Sequence, residues 1–157
     1  MRLAVTAALL GALPSLATAD GMASSETVEA CVTAQVEAGA PVADCVNEAQ
    51  AACLEYPADA ALAATACFLD AKEAWGSYIA ARMETVRQSA PAEISAVAEI
   101  EVRYDLLQNL MQCDRMQELV LLRQEPSDAT QLQKARCEAT ATGLAFVKML
   151  LQSREFQ

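Results

Sequence analysis

Residues 30–45 read ACVTAQVEAGAPVADC, and residues 52–67 read ACLEYPADAALAATAC. Each opens on Ala-Cys and, after thirteen further residues containing one proline (Pro41, Pro57), reaches a second cysteine. A glycine or proline in mid-stretch stops one helix and starts the next. The spacing therefore describes two arms of similar length folded about a break. Two such hairpins need similar cysteine spacing, so no duplication is implied. Cys45 and Cys53 fall on one helical segment, eight residues apart. A continuous α-helix would separate them by ~12 Å, whereas a disulfide needs Cα atoms within ~7 Å. The simplest solution staples each turn, Cys31 to Cys45 and Cys53 to Cys67. Cys113 and Cys137 are then left to close a third hairpin. Six cysteines admit many pairings, and this argument removes only those joining Cys45 to Cys53.

Outward from these stretches the chain reads as helix throughout, with alanine abundant and glycine scarce. Ser24 and Ser25 are N-cap candidates, with Glu26 and Glu29 in the first turn. A first helix is expected to about Ala38, and a second over roughly Pro41–Glu55. Asp59 is positioned to cap a long third helix reaching about Gln88. Its apolar residues Leu62, Cys67, Ala71, Trp75, Tyr78, Ile79 and Met83 recur at helical intervals. Ser89-Ala90-Pro91 breaks the chain before a fourth helix carrying Ile94, Val97, Tyr104, Leu107, Met111 and Leu121. Ser127 or Asp128 caps a fifth, with Leu132, Cys137, Leu144, Val147 and Leu151. The expected fold is all-α, a disulfide-stapled bundle of about five helices in antiparallel hairpins. Trp75, the only tryptophan, is expected to anchor the core. Helices one and two offer mainly alanine and valine to bury, so they are expected to lean on their disulfides more than the rest does.

Residues 1–19 read as a signal peptide. Arg2 supplies the positive start, Leu3–Leu13 the apolar run and Ala17-Thr18-Ala19 the cleavage pattern. The apolar run is too short to span a bilayer, and no cysteine at the cut suggests a lipid anchor. The expectation is a periplasmic or secreted domain over 20–157, cleaved after Ala19 and without a membrane span. Residues 20–59 form its acidic N-terminal hairpin region and 60–157 its main bundle. An even count in an exported chain reads Cys31, Cys45, Cys53, Cys67, Cys113 and Cys137 as three disulfides rather than a metal site, which would need closely spaced ligands.

The chain has no histidine, no Cys-x-x-Cys and no glycine-rich phosphate loop. Imidazole catalysis, thiol–disulfide exchange and nucleotide chemistry lose their usual residues, and the acidic balance opposes nucleic acid. The i,i+4 carboxylate pairs Asp44/Glu48 and Glu101/Asp105 read as solvated helix faces. No catalytic, metal or cofactor residues are identified, and an enzyme is not expected.

The segment CFLDAKEAW (Cys67 to Trp75), the late pair Cys113 and Cys137, and Thr142 in CEATAT resemble the helical domain family named after the mycobacterial lysozyme inhibitor LprI. The resemblance covers roughly Cys53 to the C-terminus. Asp105 stands at that family's second tryptophan, Asn109-Leu110 at its Arg-Asp and Ala145 at its last arginine. The resemblance implies an exported, disulfide-bonded helical domain, with lysozyme inhibition as the activity it would carry.

Charge is unevenly spread. From Asp20 to Ala71 there are nine acidic residues and no lysine or arginine; from Lys72 onward there are twelve acids and ten bases. An all-acidic hairpin gains nothing from i,i+4 ion pairs, and its self-repulsion opposes compaction. Glu37, Asp44, Glu48, Glu55 and Asp59, around its turns, are the candidate docking residues. The expected partner is a basic protein or peptide such as a lysozyme-type muramidase. The rival functions are a carboxylate-dependent hydrolase of envelope polymers and a structural envelope protein.

Overall fold

The computed structural model describes residues 21–156, so the signal-peptide reading lies outside them. Six helices follow one another: α1 (Ser25–Ala38), α2 (Asp44–Ala49), α3 (Ala51–Leu54), α4 (Ala61–Ser89), α5 (Ala92–Leu121) and α6 (Asp128–Gln152). No strand occurs among the described residues. The fold is all-α and stapled by disulfides.

Local chemistry sets the helix ends. Ser24 accepts a hydrogen bond from the Thr27 N–H to open α1, and Gly39 ends it at φ 64°, a left-handed conformation that glycine adopts freely. Ser127 and Thr130 cap each other at the start of α6. Asp59 does not cap α4; that position falls to Ala60, which has no side chain for it. The expected second helix is broken at Gln50 (φ −110°, ψ 20°), which separates α2 from α3. Gln50 is itself buried, with its amide donating to Thr140 Oγ1 at 2.9 Å. A long-range bond thus fixes the break, and nothing local announces it.

The disulfides join Cys31 to Cys45, Cys53 to Cys67 and Cys113 to Cys137. The pairing follows the turns, although the continuous helix used to argue for it does not exist.

The largest interface lies between α4 and α6, which are not neighbours in the chain. Their contacts climb together, Lys72 with Glu138, Trp75 with Phe146 and Arg82 with Ser153, so the two helices run parallel. Trp75, Tyr78 and Phe146 meet with ring centroids 5.7–5.8 Å apart, a spacing that adds to simple burial. Gly143 makes this approach possible. A Cβ there would lie 2.7 Å from Val46 Cγ1 and 2.8 Å from Trp75 Cε2. Arg82 is buried, its Nε donating to Ser153 Oγ (2.8 Å) and its Nη2 to the Ser153 carbonyl (2.6 Å). The guanidinium meets the C-terminal end of α6, where unpaired carbonyls favour a cation.

One core runs through the described chain. Val28, Val32, Val46 and Ala49 from the N-terminal hairpin join Phe68, Trp75 and Phe146 in the same buried cluster. Tyr78 donates its hydroxyl to the Ala23 carbonyl at 2.9 Å, which pins the segment before α1 onto α4. The acidic region is therefore built into the core, and its disulfides are not its only hold.

The fourth expected helix departs most. α5 packs along α6 and touches α4 far less. Ile94, Val97, Tyr104, Leu107, Met111 and Leu121, the large apolar residues that the sequence puts on this helix, are all exposed. Its buried residues are Val102 and Cys113, with Ala98 and Leu106 partly covered. Leu62 on α4 and Leu144 on α6 are likewise exposed.

Candidate interaction surface

Glu37, Asp44, Glu48, Glu55 and Asp59 are all exposed. Each owes its position to a helix end or turn. Glu37 lies in the last turn of α1, and Asp44 is the first residue of α2. Glu48, one turn further, brings Oε2 to 3.5 Å from Cys31 Sγ. That sulfur is bonded to Cys45 and carries no proton, so this is a contact and not a hydrogen bond. The first disulfide thus gathers Glu37, Asp44 and Glu48 about one hairpin. Glu55 follows α3, and Asp59 lies in the turn before α4. Those two flank the turn after α3, beyond the break at Gln50. The acids form two patches.

Among the described residues none of the five makes an ion pair or a hydrogen bond to a side chain with a proton to give. Some acids elsewhere are committed. Lys72 and Lys134 reach Glu138, Lys134 also pairs with Asp114 at 2.8 Å, and Lys148 pairs with Asp105. Gln152 donates to Glu101 at 2.9 Å. Glu26 is held below the ordinary carboxylate range by a backbone N–H at the helix start and by the Ser24 hydroxyl. It serves the cap. The five candidates are free carboxylates, as are Asp70 and Glu73 further along; what sets the five apart is that they cluster about the turns of a segment without a base.

No group of three or more Cys, Asp or Glu side chains among the described residues could hold a metal ion. No described helix is long and apolar enough to cross a membrane. An apolar cleft of about 180 Å³ lies where the ends of α4 and α6 meet the start of α5, lined by Val86, Ile94, Val97, Val102, Met149 and Phe156.

The surface that sequence reasoning missed is on α5. Its sequence carries two apolar stripes on opposite sides of the helix. Ala98, Val102, Leu106 and Cys113 follow one side and face α6; Val97, Ile100, Tyr104, Leu107 and Met111 follow the other and face solvent. The signal was present as alternating steps of three and four along the second stripe, which reads as a core face until α6 is seen to occupy the first. No family model, curated protein or solved structure matches this chain.

Proposed function

We propose that this chain is an exported, non-catalytic binding domain whose anionic N-terminal region receives a cationic protein, with a lysozyme-type muramidase as the partner suggested by the LprI-like resemblance of the chain from about Cys53 onward. The observation that carries the reading is the set of exposed, unpaired carboxylates of Glu37, Asp44, Glu48, Glu55 and Asp59, on a segment without a single base. Disulfides and buried valines hold these charges in fixed positions, so little ordering free energy is lost on binding. Long-range attraction to a basic partner would act mainly on the association rate. The hydrolase reading draws less support. Glu101 and Asp105, one of its two carboxylate pairs, are occupied by Gln152 and Lys148.

The test is titration of the purified chain against a lysozyme-type muramidase, an unrelated basic protein and an acidic control. Binding to the muramidase, with slowed cell-wall hydrolysis, should weaken about tenfold or more between ~20 mM and ~500 mM salt. The triple change Glu37→Gln, Asp44→Asn, Glu48→Gln should weaken it similarly at low salt. Failure to bind any basic protein, or binding indifferent to the triple change, removes the proposal.

A further inference from the structure

We infer that the outer face of α5 is a self-association surface, and that its occupant is a second copy of this chain. Val97, Ile100, Tyr104, Leu107 and Met111 are between 44 % and 68 % exposed. They are spaced three, four, three and four residues apart. That is the repeat by which one helix seats its side chains between those of another. The opposite side of α5 is already occupied by α6, so the stripe has no partner within the chain's described residues.

The stripe runs fifteen residues, Val97 to Met111, ~21 Å along the helix. At those exposures the five residues leave roughly 500 Å² uncovered on each copy, so a pair buries at most about 1,000 Å² through the stripe. That is the low end of what a specific interface buries, so the pair should be reversible. A two-fold arrangement places the same stripe on both sides and needs no second surface.

Charge selects the partner. The whole chain carries −10, so two copies repel unless they meet where that charge is absent. Beside the stripe, Asp105 is neutralised by Lys148 and Asp114 by Lys134. Among the described residues Arg103 and Arg115 are exposed and unpaired, and so are Glu99 and Glu118 on the same helix, so the two signs offset each other. This face is near neutral, whereas the N-terminal hairpin is wholly acidic. A cationic protein is drawn to the hairpin, and a second acidic copy is excluded there and admitted at α5.

The experiment is sedimentation equilibrium of the full chain from about 1 to 200 µM, at low and high salt. The expected result is a monomer–dimer equilibrium with a micromolar Kd that tightens as salt screens repulsion. Ile100→Glu and Leu107→Glu should each weaken it about tenfold or more, with helical circular dichroism and melting of the dilute monomer unchanged. Leu62→Glu, an exposed leucine off the stripe, should leave it intact. A wild-type chain that stays monomeric throughout overturns the inference. So does a dimer indifferent to both glutamates. Monomers that co-sediment with phosphatidylglycerol vesicles through Leu107 would replace the second copy with a lipid surface. Loss of muramidase binding leaves this test untouched, because the two surfaces share no residue and respond to salt in opposite directions.

Discussion

Helices α4 and α5 are nearly equal in length, 29 and 30 residues. α4 buries eight residues, among them Phe68, Trp75, Ile79 and Met83. α5 buries two, Val102 and Cys113, and turns Ile100, Tyr104 and Leu107 outward. The difference lies in what each helix meets. α4 packs along α6 and also meets α3 and the segment before α1, whereas α5 packs along α6 and meets α4 only lightly. An apolar stripe states that a helix wants a neighbour. It does not say whether the chain supplies one.

The largest expected effect separates the two helices directly. Trp75→Ala should destabilise the fold by ~3–5 kcal/mol, because the removed indole leaves a cavity between α4, α6 and α2. Tyr104→Ala, measured on dilute monomer, should stay within about 0.5 kcal/mol. Chemical denaturation of both variants decides it. Equal losses would mean that α5 is as much a part of the core as α4.

The next effect concerns what holds α5 in place. Along the α5–α6 pair the ties are the Cys113–Cys137 disulfide, two ion pairs and one glutamine bond, with few buried side chains. The Cys31–Cys45 hairpin has Val28, Val32 and Val46 buried as well. This reverses the expectation that the N-terminal helices lean hardest on their disulfides. In the chain-entropy model either bridge contributes about 3 kcal/mol. The consequences should differ by region. Replacing Cys113 and Cys137 by alanine should let α5 amides exchange by local opening while α4 stays protected. Replacing Cys31 and Cys45 should expose α1 less. Full protection of α5 without its disulfide would show that its polar ties suffice.

The smallest effect is electrostatic. The Asp114 carboxylate holds the Lys134 ammonium above its ordinary pKa of 10.5, chiefly by hydrogen bonding, and Asp105 does the same for Lys148. A pKa higher in the folded than in the unfolded chain contributes stability that is complete below the unfolded value. It is lost as pH rises through the folded one. Both pairs are substantially exposed, so the contribution is a few tenths of a kcal/mol each. Between about pH 8 and pH 11 the wild type should therefore lose slightly more stability than a Lys134→Met, Lys148→Met variant. Parallel declines would assign these pairs no part in holding α5.

Much of the molecule was legible before any coordinates. Ser24, Gly39 and Ser127 mark helix ends because capping is a transaction between a residue and its own next turn. The three disulfides follow the turns because a bridge across a short break needs only local proximity. The five exposed acids could be named from charge and from their place around the turns, since their segment carries no base to neutralise them. Three features depended on the tertiary structure. Gln50 breaks the second helix where its amide meets Thr140, ninety residues away. Gly143 is needed because Val46 and Trp75 converge on it from two other helices. The assignment of α5's two apolar stripes, one to α6 and one to solvent, was settled only when α4 chose α6 as its main partner. Periodicity is a property of one helix, whereas burial is a property of the pair, and only packing says which pairs form.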